Sequence, residues 1–149
     1  MLFRIATKED IPQIQFVRHA VKENTLSDPS LVPDKDVEDY ISNRGRGWVA
    51  EEEGRILGFS IVSVKDNNVW ALFLLPEEEG KGIGQKLHEL MMDWYFSQTE
   101  RDLWLSTSPG TRAAGFYRRA GWRETGFYGK GEIKFEIRKE EWEQGKTKS

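Results

Sequence analysis

The chain has 149 residues, a length suited to one domain that buries its own core without covalent staples. It has no cysteine, which excludes disulfides, thiolate catalysis and cysteine-based zinc sites, and no metal is expected. A formal net charge of −3 argues against a nucleic-acid partner, which would call for a broad basic face, but not against a small anion held by backbone amides.

The opening residues, MLFRIATKED, lack the apolar core of a secretory leader, and no apolar run approaches the ~20 residues that cross a bilayer. Cytoplasmic location without a membrane partner is therefore the expectation. Leu2 to Ala6 reads as a short strand. Thr7-Lys8-Glu9-Asp10 resembles a capping box, and Ile11, Ile14, Val17 and Val21 recur at helical spacing behind it. Pro12 is tolerated only in a first helical turn, which puts the start near Asp10. Residues 24–35, with two prolines, read as an ordered loop. Val37, Tyr40 and Ile41 mark a short second helix ending near Gly45.

Strands follow. Trp48–Glu51 and Ile56–Val64 flank a turn at Glu53-Gly54 and form a hairpin. Val69–Leu75 is a third strand, stopped by Pro76. A helix is predicted from about Gly82 to Ser97, with Ile83, Leu87, Leu90, Met91 and Trp94 as its apolar stripe. Leu103–Ser106 is a short strand. Pro109-Gly110 then breaks the chain before a helix carrying Ala113, Phe116, Tyr117 and Ala120, with Gly121 as its C′ residue. Strands near Arg123–Phe127 and Ile133–Ile137 close the order β-α-α-β-β-β-α-β-α-β-β. This is an α+β, or mixed α/β, single domain over residues 1–140, with 141–149 a polar, frayed tail.

Residues 76–92, PEEEGKGIGQKLHELMM, carry the clearest functional signal. Gly80, Gly82 and Gly84 stand at the mouth of a helix, where backbone N–H groups and the helix dipole favour an anion. The spacing fits neither G-x-G-x-x-G nor G-x-x-x-x-G-K-[ST], which sets aside the dinucleotide and P-loop readings. A diphosphate cradle and a tight packing turn both remain open.

Two motifs together point further. LFLLPEEEGKGIGQKL followed by GFYRRAGW resembles the GCN5-related N-acetyltransferase (GNAT) superfamily, whose cofactor loop reads [Q/R]-x-x-G-x-[G/A] between a strand and a helix. Here that loop falls on Glu79-Gly80-Lys81-Gly82-Ile83-Gly84. The family's second motif, roughly Asn-x-x-A-x-x-F-Y-x-x-x-G-F, falls on Gly110 through Trp122, with Ala113, Phe116, Tyr117 and Gly121 matching. Glu79 replaces the usual Gln or Arg, and Gly110 replaces the usual Asn. The element order matches over nearly the whole chain.

The resemblance implies direct acetyl transfer from acetyl-CoA to the amine of a small molecule or peptide, with homodimerisation common. It implies a mostly antiparallel sheet with a splayed parallel pair at the cofactor site and helices on both faces. The diphosphate would rest on the amides of Gly80, Lys81, Gly82, Ile83, Gly84 and Gln85, with Lys81 and Lys86 adding charge. Phe73, Leu74 and Leu75 would offer backbone to the pantetheine arm, and the N–H near Leu74 would face the developing oxyanion. Gly110, Ala113, Phe116 and Arg119 would line the same groove, with Arg112 and Arg118 near its nucleotide end or on a solvated face.

Tyr117 matches the family's general acid toward the thiolate, a role compatible with core packing. No base is evident, because the strand NVWALFLL carries no acid. Glu23, Asp28, Glu136 or solvent remain open, and His19 reads as a surface residue. Asp28 and Asp34 fall in the loop that usually sets acceptor specificity. Trp48, Trp70, Trp104 and Trp122 read as core, with one or two able to wall an acceptor pocket. A CoA-binding module without catalysis, and transfer of another acyl group or to another acceptor, are the alternatives.

Overall fold

The computed structural model describes residues 1–21 and 32–147. Seven strands form one sheet in the order β1-β2-β3-β4-β5-β7-β6. They are β1 Leu2–Ile5, β2 Gly45–Glu52, β3 Arg55–Ser63, β4 Asn68–Leu74, β5 Leu103–Thr107, β6 Arg123–Tyr128 and β7 Glu132–Ile137. All neighbours pair antiparallel except β4 and β5, which run parallel. The β2–β3 turn sits on Glu53 at φ 51° and Gly54 at φ 80°, the two left-handed positions that match the twist of a tight hairpin.

Helix α1 spans Ile11–Ala20 and places Pro12 in its first turn, where the missing N–H costs nothing. Just before it, the Asp10 carboxylate accepts from the Thr7 backbone N–H at 2.8 Å and is gripped by Arg4, also at 2.8 Å. Arg4 accordingly holds the Asp10 carboxyl below the usual carboxylate range. Helix α2 (Asp34–Asp39) runs into a π-helical turn, Tyr40–Arg44. Helix α3 is Ile83–Gln98, α4 is Arg112–Arg119 and α5 is Lys139–Thr147.

Both faces of the sheet are covered. Ser60 on β3 donates to the Leu87 carbonyl, and Trp48 on β2 packs edge-on against Trp94, so their face meets α3. A Cβ on Gly47 would press on Ile41 of the π-helical turn as well as on Ile61 and Ala6, and α1 packs on β3 and β4, so the opposite face meets α1 and that turn. Phe59, Ile61, Leu87, Met91, Met92, Tyr95 and Phe135 are fully buried and form the centre of the core.

Three expectations need correction. The buried face of α3 is Ile83, Leu87, His88, Met91, Met92, Tyr95 and Phe96, while Leu90 and Trp94 are only half-buried. In α4 the buried residues are Ala114 and Tyr117, and the expected stripe members Ala113, Phe116 and Ala120 are half-buried. The polar segment from residue 141 does not fray where it was expected to, because α5 is docked through residue 146. Trp142 donates its indole N–H to Asp93 at 2.9 Å, and Lys146 pairs with the same carboxylate at 2.8 Å. Polarity by count misled here, since one tryptophan supplies enough apolar surface to seat a short helix.

Candidate active site

Strands β4 and β5 share one register pair, Asn68 with Trp104, and then diverge. Their C-terminal ends leave a gap. On its other edge β4 stays bonded to β3, where the Leu75 N–H donates to the Leu57 carbonyl at 2.9 Å. Peptide groups alternate sides along a strand, so the Leu74 N–H points away from β3 and into the gap.

The glycine loop stands at the end of β4. Gly80 and Gly82 have φ of 80° and 82°, the left-handed region that side chains resist, and Gly82 immediately precedes α3. No atom lies within 4 Å of a Cβ placed on either, so conformation rather than crowding calls for glycine. The first N–H groups of α3, from Ile83 to Gln85, have no partner within the helix and lie at the positive end of its dipole. Gly84 is in that first turn, its missing Cβ 3.5 Å from Leu74 Cδ1.

The three carboxylates before the loop are engaged elsewhere. Glu77 pairs with Arg55 at 3.2 Å, Glu78 with Lys81 at 3.1 Å and Glu79 with Arg112 at 2.8 Å. The last pair bridges the loop and α4. Lys81 is thereby turned toward Glu78, and Lys86 toward Glu89 at 3.7 Å.

Helix α4 is fixed at both ends. The Thr111 hydroxyl accepts from the Ala114 N–H at 3.2 Å and donates to the Ser108 carbonyl at 2.8 Å. At the other end, Gly121 has φ 96°, its N–H reaches the Arg118 carbonyl, and the Trp122 N–H reaches the Tyr117 carbonyl at 3.0 Å. These paired bonds are a Schellman motif, with the Trp122 and Tyr117 rings in contact at 5.5 Å as its hydrophobic clasp.

A cavity of about 910 Å³ joins these parts. Its walls include Phe73 and Leu74 of β4, Glu79, Gly80, Gly82, Gly84 and Gln85 of the loop and α3, and Ala113, Phe116, Tyr117, Arg119 and Gly121 of the α4 segment. Thr107, Arg112 and Val21 also reach it. Lys81, Ile83, Leu75 and Gly110 do not line it: Lys81 is exposed, Ile83 and Leu75 are core residues, and Gly110 sits in the turn before α4 at φ 75°. The half-buried faces of Ala113, Phe116 and Ala120 are cavity wall, which is why they are not core.

Several cavity residues escaped the sequence reading, among them His88 and Trp142. His88 is buried on α3, with Phe116, Tyr117, Trp122 and Trp142 packed around its ring. The Trp122 indole N–H donates to His88 Nε2 at 3.0 Å. An indole only donates, so Nε2 carries no proton and the neutral ring holds it on Nδ1. Burial pushes the His88 pKa down to about 4. A helical net would have found it, since His88 follows Gly84 by one turn and adjoins Leu87. Burial also raises the Tyr117 phenol above its ordinary value, so it keeps its proton across the neutral range.

The family model described as Acetyltransferase (GNAT) domain matches residues 43–124, more than half the chain. The chain belongs to the GNAT acetyltransferase family. Solved structures with the same fold include a ribosomal-protein-alanine N-acetyltransferase from Brucella melitensis, 20% identical, with TM-score 0.75, covering 93% of this chain and 99% of that one. Another is the PaiA N-acetyltransferase of Thermoplasma acidophilum in complex with coenzyme A, 16% identical, with TM-score 0.78 and the same coverage of 93% and 99%. A third is the ribosomal-protein-S18-alanine N-acetyltransferase of Escherichia coli, 16% identical, with TM-score 0.70, covering 91% and 90%. A search of curated proteins finds no significant match.

As a GNAT domain the chain carries the expected parallel pair, and the pair is splayed. The base candidates among the described residues do not reach the gap. Glu136 lies on β7 opposite Trp104, His19 is exposed on α1, and neither lines the cavity. Glu23 and Asp28 lie outside the described residues. Asp34 accepts from Gln15 at 3.1 Å, away from the cavity walls. Trp48 and Trp122 are core as expected, Trp104 donates its indole N–H to the Asp66 carbonyl, and Trp70 is half-buried beneath Tyr40. Arg118 pairs with Glu124 rather than facing the groove. Among the described residues no helix is long and apolar enough to cross a membrane, and no group of three acidic or histidine side chains is arranged to hold a metal.

Proposed function

We propose that this GNAT domain moves the acetyl group of acetyl-CoA directly to a primary amine within a ternary complex. One observation carries the reading. A single cavity connects the unpaired amides at the start of α3, the inward N–H of Leu74 and the Tyr117 wall across the open end of the β4–β5 pair. They would serve as the anion cradle, the oxyanion donor and the proton donor that acyl transfer from a thioester requires.

Acetyl-CoA supplies an activated acyl group, and its transfer forms a C–N bond, breaks the C–S bond and leaves a thiolate. The chain's residues then divide the work. The amides of Gly82 to Gln85 hold the diphosphate through backbone, which makes acidic neighbours tolerable. The Leu74 N–H donates to the carbonyl oxygen as its charge grows. Tyr117, protonated throughout the neutral range, donates a hydrogen bond to the departing sulfur. Full proton transfer from it to a thiolate of ordinary basicity, near pKa ~8.5, runs uphill, so the hydrogen bond is the larger part of its contribution. The amine's proton leaves to solvent, since no carboxylate stands on β4.

Calorimetry with CoA and thiol release from acetyl-CoA across an amine panel test the reading together. Binding with turnover supports it. Binding without turnover on any amine favours a CoA-binding module, and absence of binding at millimolar CoA refutes it.

A further inference from the structure

The cavity crosses the sheet. From the loop and α3 it passes the β4–β5 gap and reaches Phe73 and, just beyond α1, Val21. Phe73 pairs with Phe59 on the face covered by α1 and the π-helical turn, whereas Leu74 packs toward Gly84 and α3. In an unbroken strand Trp70 and Phe73, three residues apart, would face opposite sides. The register shift at Trp70 cancels one step, so both rings lie on the α1 face.

Between them lies Arg18 of α1. Its Cζ is 5.2 Å from the Trp70 ring centroid and 5.5 Å from that of Phe73, and Tyr40 stacks on the far side of Trp70 at 4.1 Å. Arg18 Nε and Nη1 are buried and have no hydrogen-bond partner. The rings attract the charge but supply no acceptor for its N–H groups. Each buried donor left unpaired costs about 1–3 kcal/mol, more for a charged group. Burial also depresses the guanidinium pKa, though an arginine stays charged. The ring contacts leave these N–H groups unmade, so the guanidinium is open to an anion.

We propose that the acceptor is an amine that also carries a carboxylate, and that Arg18, backed by Trp70 and Phe73, binds that carboxylate on the α1 side of β4. This rests on the N-acetyltransferase reading above and narrows its acceptor class to amino-acid-like or peptide-like amines. The unpaired Nε and Nη1 lie on different edges of the guanidinium, so a carboxylate would take one planar fork, Nε with Nη2 or Nη1 with Nη2, once the side chain turns. A simple ammonium without a carboxylate would meet only repulsion there. Because both donors are covered, binding includes a swing of the long Arg18 side chain toward the cavity past Phe73.

The test compares matched pairs, glycylglycine with glycylglycinamide and β-alanine with β-alaninamide, by thiol release from acetyl-CoA. The carboxylates should exceed their amides in kcat/KM by roughly 10- to 100-fold, the value of hydrogen bonds to a charged group. In Arg18→Gln and Arg18→Met the preference should fall to within about threefold, with the KM for acetyl-CoA unchanged. Arg18→Lys should keep a reduced preference. Arg18→Met should melt no lower than wild type, because it removes an unpaired buried charge. A structural arginine would instead lower the melting temperature on replacement. Calorimetry of N-acetylglycylglycine against its amide, with CoA present, reads the same preference without turnover. Equal use of acids and amides, an undiminished preference in Arg18→Met, or no binding of the acid at about 10 mM would each overturn the proposal. Failure to bind CoA would instead overturn the transferase reading, so the two failures are separable.

Discussion

Leu74 and Phe73 are consecutive on β4 and look onto differently built walls. The Leu74 side meets a wall made of backbone: left-handed glycines, the open first turn of α3 and a strand edge without a partner. The Phe73 side meets a wall made of side chains, where Arg18, Trp70 and Tyr40 come from three separate elements. In the proposed reaction the backbone wall would take a feature common to every CoA ester. A side-chain wall can change with each substitution, so it is where one acetyltransferase would differ from another.

Replacing Gly82 by valine should break the backbone wall most severely. A β-branched residue near φ 82° is strained, the loop must refold, and CoA affinity should fall by about a thousandfold in calorimetry while circular dichroism stays native. If affinity survives, the loop is only a turn.

The pH dependence of folding tests the seam joining α3, α4 and α5. Because the His88 pKa is depressed in the fold, the unfolded chain takes up this proton first as pH falls. Stability is therefore complete above pH ~6.5 and declines toward pH 4, by roughly 3 kcal/mol in all. Thermal melts should show that decline in wild type, and His88→Gln, which keeps an acceptor for Trp122, should flatten it.

Tyr117→Phe removes the donor but not the ring. It should lower kcat by about a hundredfold with little change in the KM for acetyl-CoA, as expected for a contact made mainly in the transition state. An equal kcat across pH would remove Tyr117 from the chemistry.

The smallest effect belongs to Glu79. Replacement by glutamine removes the ion pair with Arg112 and a negative charge from the cavity mouth. CoA should bind a fewfold tighter, within about 1 kcal/mol, and the gain should shrink with added salt. Weaker binding would mean that the bridge between the loop and α4 holds the groove open.

The same division explains what was legible in the sequence. Gly80, Gly82 and Gly121 mark backbone geometry that few other residues adopt, and Gly84 a close approach to Leu74, so their spacing and the strand–loop–helix order exposed the fold and the proposed cofactor side. The matched family segment, residues 43–124, contains that side but not Arg18 or α5. Arg18 was silent because an arginine on a helix reads as solvated until its donors prove to be buried. Trp70 was ambiguous because a one-residue bulge reverses its face, and no local pattern announces that reversal. His88 and Trp142 were missed for a shared reason: each is ordinary in its own element, and only their contact, between α3 and α5, makes a wall.

That contact also sets an order of assembly. Asp93 and Trp142, bonded in the fold, stand 49 residues apart in the chain. During synthesis from the N-terminus, the glycine loop, α3 and the β4–β5 opening emerge well before the indole that finishes the cavity. Until Trp142 leaves the ribosome, the apolar side of α3 around His88 lacks its final cover, and a growing chain paused before that point would present it to chaperones.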